Sequence, residues 1–182
     1  MIEEIRRVMD EADCLYEHQR VQQAVTALAG HITARLAGSN PVLLCVMNGA
    51  LVFAGELLPQ LGFPLQVDYL HATRYREKLS GADLQWKARP STALAGRVVL
   101  LLDDILDEGD TLVKIREYCL AQQAASVLTA VLVDKRHDRR HPDLPRADFT
   151  GLEAPDRYLF GYGMDYKGYL RNAPGIYAVA GT

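Results

Sequence analysis

Residues 98–111 read VVLLLDDILDEGDT: an apolar run delivers two adjacent acids, Asp103 and Asp104, then a third, Asp107, after two apolar residues, with Gly109 and Thr111 opening a helix. In open α/β sheets ligands bind beyond the carboxyl ends of the strands. A loop entering a helix N-terminus offers free N–H groups and a positive dipole end, which suit a phosphate, and Gly109 lets the backbone come close. Paired carboxylates suit a different partner, either sugar hydroxyls or Mg²⁺, which takes a few carboxylates plus ligand oxygens. A sugar carrying phosphates uses both halves of the segment. Met47-Asn48-Gly49-Ala50 also ends an apolar run and opens a helix, which places a second backbone turn at the same sheet edge. The sequence contains no GxxxxGK[ST] loop, no GxSxG and no HExxH, and Gly161-Tyr162-Gly163 lacks the third glycine of a dinucleotide fingerprint.

The elements that must position these residues follow from hydrophobic spacing. Val21, Val25, Leu28, Ile32 and Leu36 recur at steps of three and four, which predicts a helix over 17–36 with Gly38 as its C-cap; a shorter helix covers 2–9. The continuous apolar run 42–47 predicts a strand covered on both faces, followed by a helix over 50–61 and a strand over 65–70. A second cycle comprises the strand 98–102, a polar loop 103–110, a helix over 111–122 and a strand over 127–133. Repeated βαβ units predict an α/β fold with an open, mostly parallel sheet flanked by helices. The mixed-charge segment 72–93 is long for a passive connection and reads as a lid or hairpin. A short strand is expected at 158–160, followed by an aromatic-rich tail that ends in Ile176-Tyr177-Ala178-Val179. The organisation expected is one domain, with a core over about 17–134 and a small hood from about 1–16 and 135–182.

Composition bounds the function classes. With 182 residues, 49% of them hydrophobic and 24% charged, the chain suits one globular domain with a sizeable core. Its net charge of -3 speaks against holding nucleic acid by bulk charge. Cys14, Cys45 and Cys119 are odd in number and far apart, without metal spacing, as expected of reduced thiols in a cytoplasmic protein. The N-terminal stretch mixes acids into every turn and no long apolar stretch occurs, so neither secretion nor a membrane span is expected. The basic run 135–148, KRHDRRHPDLPRAD, reads as a solvated loop face, with an RNA-binding patch as the rival reading. None of the five histidines has ligand spacing, and none is assigned a metal.

VVLLLDDILDEGDT resembles the diphosphate-sugar signature of type I phosphoribosyltransferases. VMNGA at 46–50, the Arg74-Tyr75 pair, Lys135 at a strand end and RYLFGYGMDYKGYLR at 157–171 resemble the hypoxanthine-guanine branch of that family. The resemblance implies a purine salvage enzyme that moves the 5-phosphoribosyl group from phosphoribosyl diphosphate to hypoxanthine or guanine. It implies that Asp103 and Asp104 contact the ribose hydroxyls and, with Asp165, Mg²⁺. Asp107, Glu108, Gly109, Asp110 and Thr111 would cradle the 5-phosphate, with Asp107 also the general base near purine N7. Met47, Asn48 and Gly49, through a non-proline cis bond, would hold diphosphate together with Arg171, and the Arg74-Tyr75 loop would close over the site. Lys135 would donate to the purine 6-oxo group, Tyr158 would stack on the base, and Ile105, Leu159, Met164 and Asp165 would complete the purine pocket. Homodimers or homotetramers are implied, with small-molecule substrates as the other partners. Asn48 stands where many members carry Lys and Arg74 where many carry Ser, while Glu108 and Asp110 put two acids into a phosphate loop. A ligand-sensing RNA-binding regulator on the same fold is the alternative.

Overall fold

A computed structural model of the chain describes residues 1–74 and 84–182, the side chains of Arg74 and Leu84 apart. Tyr75, the Arg74 side chain and the middle of the expected lid thus lie outside the described residues. In chain order the elements are α1 (Ile2–Glu11), β1 (Asp13–Tyr16), α2 (His18–Leu36), β2 (Val42–Val46), α3 (Leu51–Leu57), β3 (Gln66–Arg74), β4 (Leu84–Ala88), β5 (Val98–Leu106), α4 (Asp110–Ala121), β6 (Ser126–Arg136), β7 (Phe149–Pro155), β8 (Leu159–Phe160) and β9 (Ile176–Ala178). Six strands form one sheet in the order β4-β3-β2-β5-β6-β7, and β1-β9-β8 form a second. All neighbours in the large sheet are parallel except β3 and β4.

The apolar run of β2 is buried at every position because the sheet is covered on both faces. Successive side chains point to opposite faces, so Leu43 and Cys45 join Leu100 and Leu102 in the core under α2 and α3. Val42, Leu44 and Val46 join Val99, Leu101 and Val131 in the core under α4. The stripe expected on α2 is the stripe buried, from Val21 through Leu36. The helix does not end on Gly38: Ala37 caps it with an N–H bond to the Thr33 carbonyl, and the left-handed residue of the turn is Asn40. The helix expected over 50–61 stops at Leu57 and tightens into a 3₁₀ turn, Leu58–Gln60, around Pro59, which has no N–H for a helix bond.

β5 runs further than the apolar pattern suggested, and β7 is a strand that the pattern did not suggest. β5 continues through the acid pair to Leu106 because β6 carries the ladder on, Asp103 opposite Val131 and Leu106 opposite Asp134. The polar loop expected over 103–110 is therefore short. β7 pairs with β6 in the large sheet although it lies in the stretch assigned from sequence to the hood. The segment 72–93 supplies the end of β3 and the antiparallel strand β4, consistent with a hairpin.

The small sheet and its loops are tied to the rest of the fold and to one another through particular contacts. Tyr162 is buried, and its hydroxyl donates to Glu56 Oε2 at 2.6 Å, with His18 Nδ1 at 3.1 Å. Tyr16 donates to the Glu153 carbonyl at 2.6 Å, and Arg157 pairs with Asp13 at 2.7 Å. α1 is fastened from outside by Lys167 on Glu4.

Candidate active site

β2 and β5 are neighbours, with Cys45 opposite Leu102, and the chain leaves them in opposite directions: β3 lies beyond β2, and β6 beyond β5. This is the switch point at which open α/β sheets bind ligands. The carboxyl ends of these two strands are Met47-Asn48-Gly49 and Asp103 to Asp107. Both open into a cavity of about 580 Å³.

The turn after β2 contains a cis peptide bond between Met47 and Asn48, as the resemblance implied. Gly49 is required by the acid beside it, since a Cβ there would overlap the Asp104 carboxylate. Gly163 is required from the other side: its φ is +105°, and a Cβ would overlap the Gly49 carbonyl oxygen. Two glycines thus let the loop after β8 lie directly on the β2 turn and against Asp104.

Asp104 is buried and Asp103 nearly so, and the Asp104 N–H donates to Asp103 Oδ1 at 3.0 Å. Loss of water and the adjacent Asp104 charge push the Asp103 carboxyl well above the usual carboxylate range. Loss of water also raises Asp104, in part countered by Asp103 hydrogen bonding and the Arg171 charge. Such a pair favours a proton, sugar hydroxyls or a divalent cation as its partner.

On the far wall, Lys135 Nζ donates to Asp107 Oδ2 at 3.0 Å and stands 3.5 Å from Asp156 Oδ1. His137 Nε2 lies 2.7 Å from Asp107 Oδ1, and Arg139 grips Asp156 with two bonds of 2.7 and 3.0 Å. Partial burial pushes the Asp107 carboxyl up, but the bond and charge of Lys135, followed by the hydrogen bond from His137, outweigh it and hold the group below its ordinary value. The side-chain ligand atoms of Asp107, His137 and Asp156 lie within 4.8 Å of one another, yet the Lys135 ammonium already supplies the cation of this cluster.

Ile105, Leu159 and Met164 give the cavity its apolar surface, and Tyr158 stands at it, 47% exposed, its ring edge-on to Tyr166. Asp165 and Arg171 line the same cavity and hold each other at 2.7 Å; Asp165 also accepts the Gly168 N–H, and Arg171 donates to the Gly163 carbonyl. Glu108, Gly109, Asp110 and Thr111 do not line the cavity among the described residues. They form the adjoining entry to α4, where Gly109 caps the helix with φ +93°.

Several contributors escaped the sequence reading. His71 and Thr73 on β3 and Lys87 on β4 line the cavity. Their signal is alternation along strands β3 and β4. The basic run does not form a uniformly solvated face. His137 is almost fully buried, Arg140 clamps the Leu106 and Lys135 carbonyls and pairs with Asp134, and Arg136 and Arg139 are paired with Glu153 and Asp156. These ion pairs spend the charge that an RNA-binding patch would need. Burial pushes the Cys45 and Cys119 thiols up to about 11, so neither is a ready nucleophile.

Residues 11–167 match the family model for the phosphoribosyl transferase domain. The chain is 32% identical over 176 residues to a hypoxanthine-guanine-xanthine phosphoribosyltransferase of Tritrichomonas foetus, covering 97% of this chain and 92% of that protein. It is also 32% identical over 163 residues to a hypoxanthine-guanine phosphoribosyltransferase of Streptococcus pneumoniae, covering 89% of each. Among solved structures, a hypoxanthine phosphoribosyltransferase of Staphylococcus aureus superposes with a TM-score of 0.87 at 25% identity, covering 94% of this chain and 93% of that one.

Proposed function

The chain belongs to the phosphoribosyl transferase domain family, and on that premise we propose that it moves the 5-phosphoribosyl group from phosphoribosyl diphosphate to hypoxanthine or guanine, yielding IMP or GMP and diphosphate. The observation that carries this reading is the convergence on one cavity of the acid pair at the end of β5, the Met47-Asn48 turn, Lys135 and Tyr158.

Each residue has a task that its chemistry suits. Asp103 and Asp104 accept the ribose hydroxyls, while the N–H groups at the α4 entry, with the Thr111 hydroxyl, receive the 5-phosphate. Met47-Asn48-Gly49 and Arg171 take the diphosphate, joined by Arg74 and Tyr75 of the lid; Lys87 adds a cation to the same cavity. The base stacks on Tyr158, and Leu159, Met164 and Ile105 cover its edges. Lys135 donates to the 6-oxo group. As the bond from the sugar carbon to diphosphate breaks and the bond to the base nitrogen forms, the base gives up its N7 proton to Asp107.

The donor set fits Mg²⁺: two adjacent carboxylates with little water around them, and a third, Asp165, in the same cavity, form a hard oxygen site whose surplus negative charge Arg171 offsets only in part. Bound there, the ion would neutralise charge on the departing diphosphate. Asp103, Asp104 and Asp165 are its proposed ligands.

We further propose a homodimer or homotetramer. Leu51, Val67 and Tyr69 are exposed beside an apolar hollow between α3 and β3, a surface that association would cover. The three cysteines are unpaired, in keeping with a cytoplasmic location, and no helix among the described residues is long and apolar enough to cross a membrane. Diphosphate release measured with hypoxanthine, guanine, xanthine and adenine in the presence of Mg²⁺ tests the reading. Release with the 6-oxopurines and little with adenine is expected; no release with any base overturns it.

A further inference from the structure

Asp107 is held at both oxygens, and the two holders differ in what the reaction asks of them. Lys135 holds Oδ2, but it must turn its ammonium to the purine oxygen when the base binds. His137 holds Oδ1 and faces no such demand. It does not line the cavity, its side chain is only 3% exposed, and it approaches Asp107 from behind. The Arg139 backbone N–H donates to its Nδ1 at 3.0 Å, so that nitrogen is an acceptor and the proton resides on Nε2, aimed at Asp107.

We propose that His137 is a positioning residue for the general base: neutral and protonated on Nε2, it keeps the Asp107 carboxylate aimed at the base while Lys135 releases Oδ2. This inference rests on the reading of Asp107 and Lys135 given above. The geometry is closed on itself. Arg139 fixes the imidazole through its main chain and fixes Asp156 through its guanidinium; Asp156 faces Lys135, and Lys135 returns to Asp107. When Lys135 leaves, one anchor of the carboxylate is lost and His137 remains. A doubly protonated imidazole would set an N–H against the Arg139 N–H, so the neutral form is the one this turn accommodates. Lys135 lies in the last residues of β6 and His137 just beyond its end, and both side chains reach Asp107.

The titratable and charged groups facing Asp107 are Lys135 on β6, His137 and Arg139 just beyond it, Asp156 after β7, and its neighbour Glu108. Removing the His137 donor leaves the carboxylate less stabilised, so the acid limb of the activity profile moves to higher pH. A misdirected base costs about 10–100-fold in rate, so His137→Ala should lower kcat by about that factor. KM for phosphoribosyl diphosphate should stay within about twofold, since a loss confined to the transition state spares ground-state binding. Glutamine places an N–H₂ near the position of Nε2, so His137→Gln should recover most of the rate and restore the acid limb. In an Asp107→Asn background, His137→Ala should cost nothing more, because its effect runs through that carboxylate.

The experiment is a pH series of kcat and KM with hypoxanthine for wild type, His137→Ala, His137→Gln, Asp107→Asn and the double variant, with nitrogen-15 NMR of the His137 ring in the wild type. Wild-type kcat and an unmoved acid limb in His137→Ala overturn the proposal, as does additivity with Asp107→Asn. Should the alanine variant not fold, the remaining arms decide: a folded His137→Gln as impaired as Asp107→Asn, or a ring protonated on Nδ1 alone, overturns it equally. A wild type that releases no diphosphate with any base removes the reading beneath it, a result distinct from a defect confined to the variants.

Discussion

Replacing Lys135 by alanine should leave an enzyme that scarcely tells its bases apart. The lysine side chain is only 12% exposed, and its ammonium has three donors and no acceptor, so it can meet a 6-oxo group but not a 6-amino group. A charge-assisted hydrogen bond is worth about 1.5–3 kcal/mol. Here the ammonium gives up Asp107 at 3.0 Å to reach the base, so the net value falls toward the lower end. A loss of about 1.5 kcal/mol is roughly tenfold in kcat/KM for hypoxanthine. Adenine gains by a similar amount when the opposing donor is removed, so the ratio of hypoxanthine to adenine use should fall roughly a hundredfold. Asp107 also loses a partner that keeps its carboxyl low, and its pKa rises in the variant. At pH 8 the group is ionised in both proteins, which makes it the pH at which to read selectivity alone. Diphosphate release is measured there with each base in competition. An unchanged ratio, or an equal loss for both bases, refutes the assignment of Lys135 as the selector.

Three other perturbations test the frame around the site. Asp103→Asn removes one of two crowded acids and should stabilise the ligand-free protein, seen as a higher Tm, while raising KM for phosphoribosyl diphosphate; an unchanged KM counts against its contact with the sugar. Gly163→Ala forces a Cβ onto the Gly49 carbonyl at a positive φ and should cost about 2–4 kcal/mol, lowering Tm by about 5–15 °C in thermal melts. Asp68, on β3, is pushed up by burial but more strongly held down, to about 2, by bonds from the Thr92, Tyr69 and Ser91 N–H groups. A depressed folded-state value stabilises the fold above the unfolded value of 3.8 and loses that contribution as pH falls toward 2. Wild-type Tm should therefore drop more steeply than that of Asp68→Asn across this window, and parallel curves would contradict it.

Sequence alone determined the parts of this protein that rest on local pattern. Five apolar residues in a row, Val42–Val46, have no polar face to show to water, so they had to be a strand buried on both sides. The spacing of Val21 to Leu36 admits one buried stripe, and that is the face α2 packs. Asp103, Asp104, Asp107 and Gly109 carried their chemistry openly because a strand end followed by a helix entry is a contiguous segment, and contiguity is what a sequence displays.

The tertiary structure decided whatever depends on partners distant along the chain. β5 extends through two acids because β6 offers a ladder to pair with, which no local propensity announces. β7, with Gly151 against the Leu132 carbonyl, is a strand by virtue of the neighbour it joins. Gly49 and Gly163 are more than a hundred residues apart, and their need for glycine arises only where their backbones meet over Asp104. His137, in a run of charges that looked solvated, became a buried partner of Asp107 for the same reason. The turn after β6 carries it inward, where an imidazole between an N–H and a carboxylate leaves no polar atom unpaired.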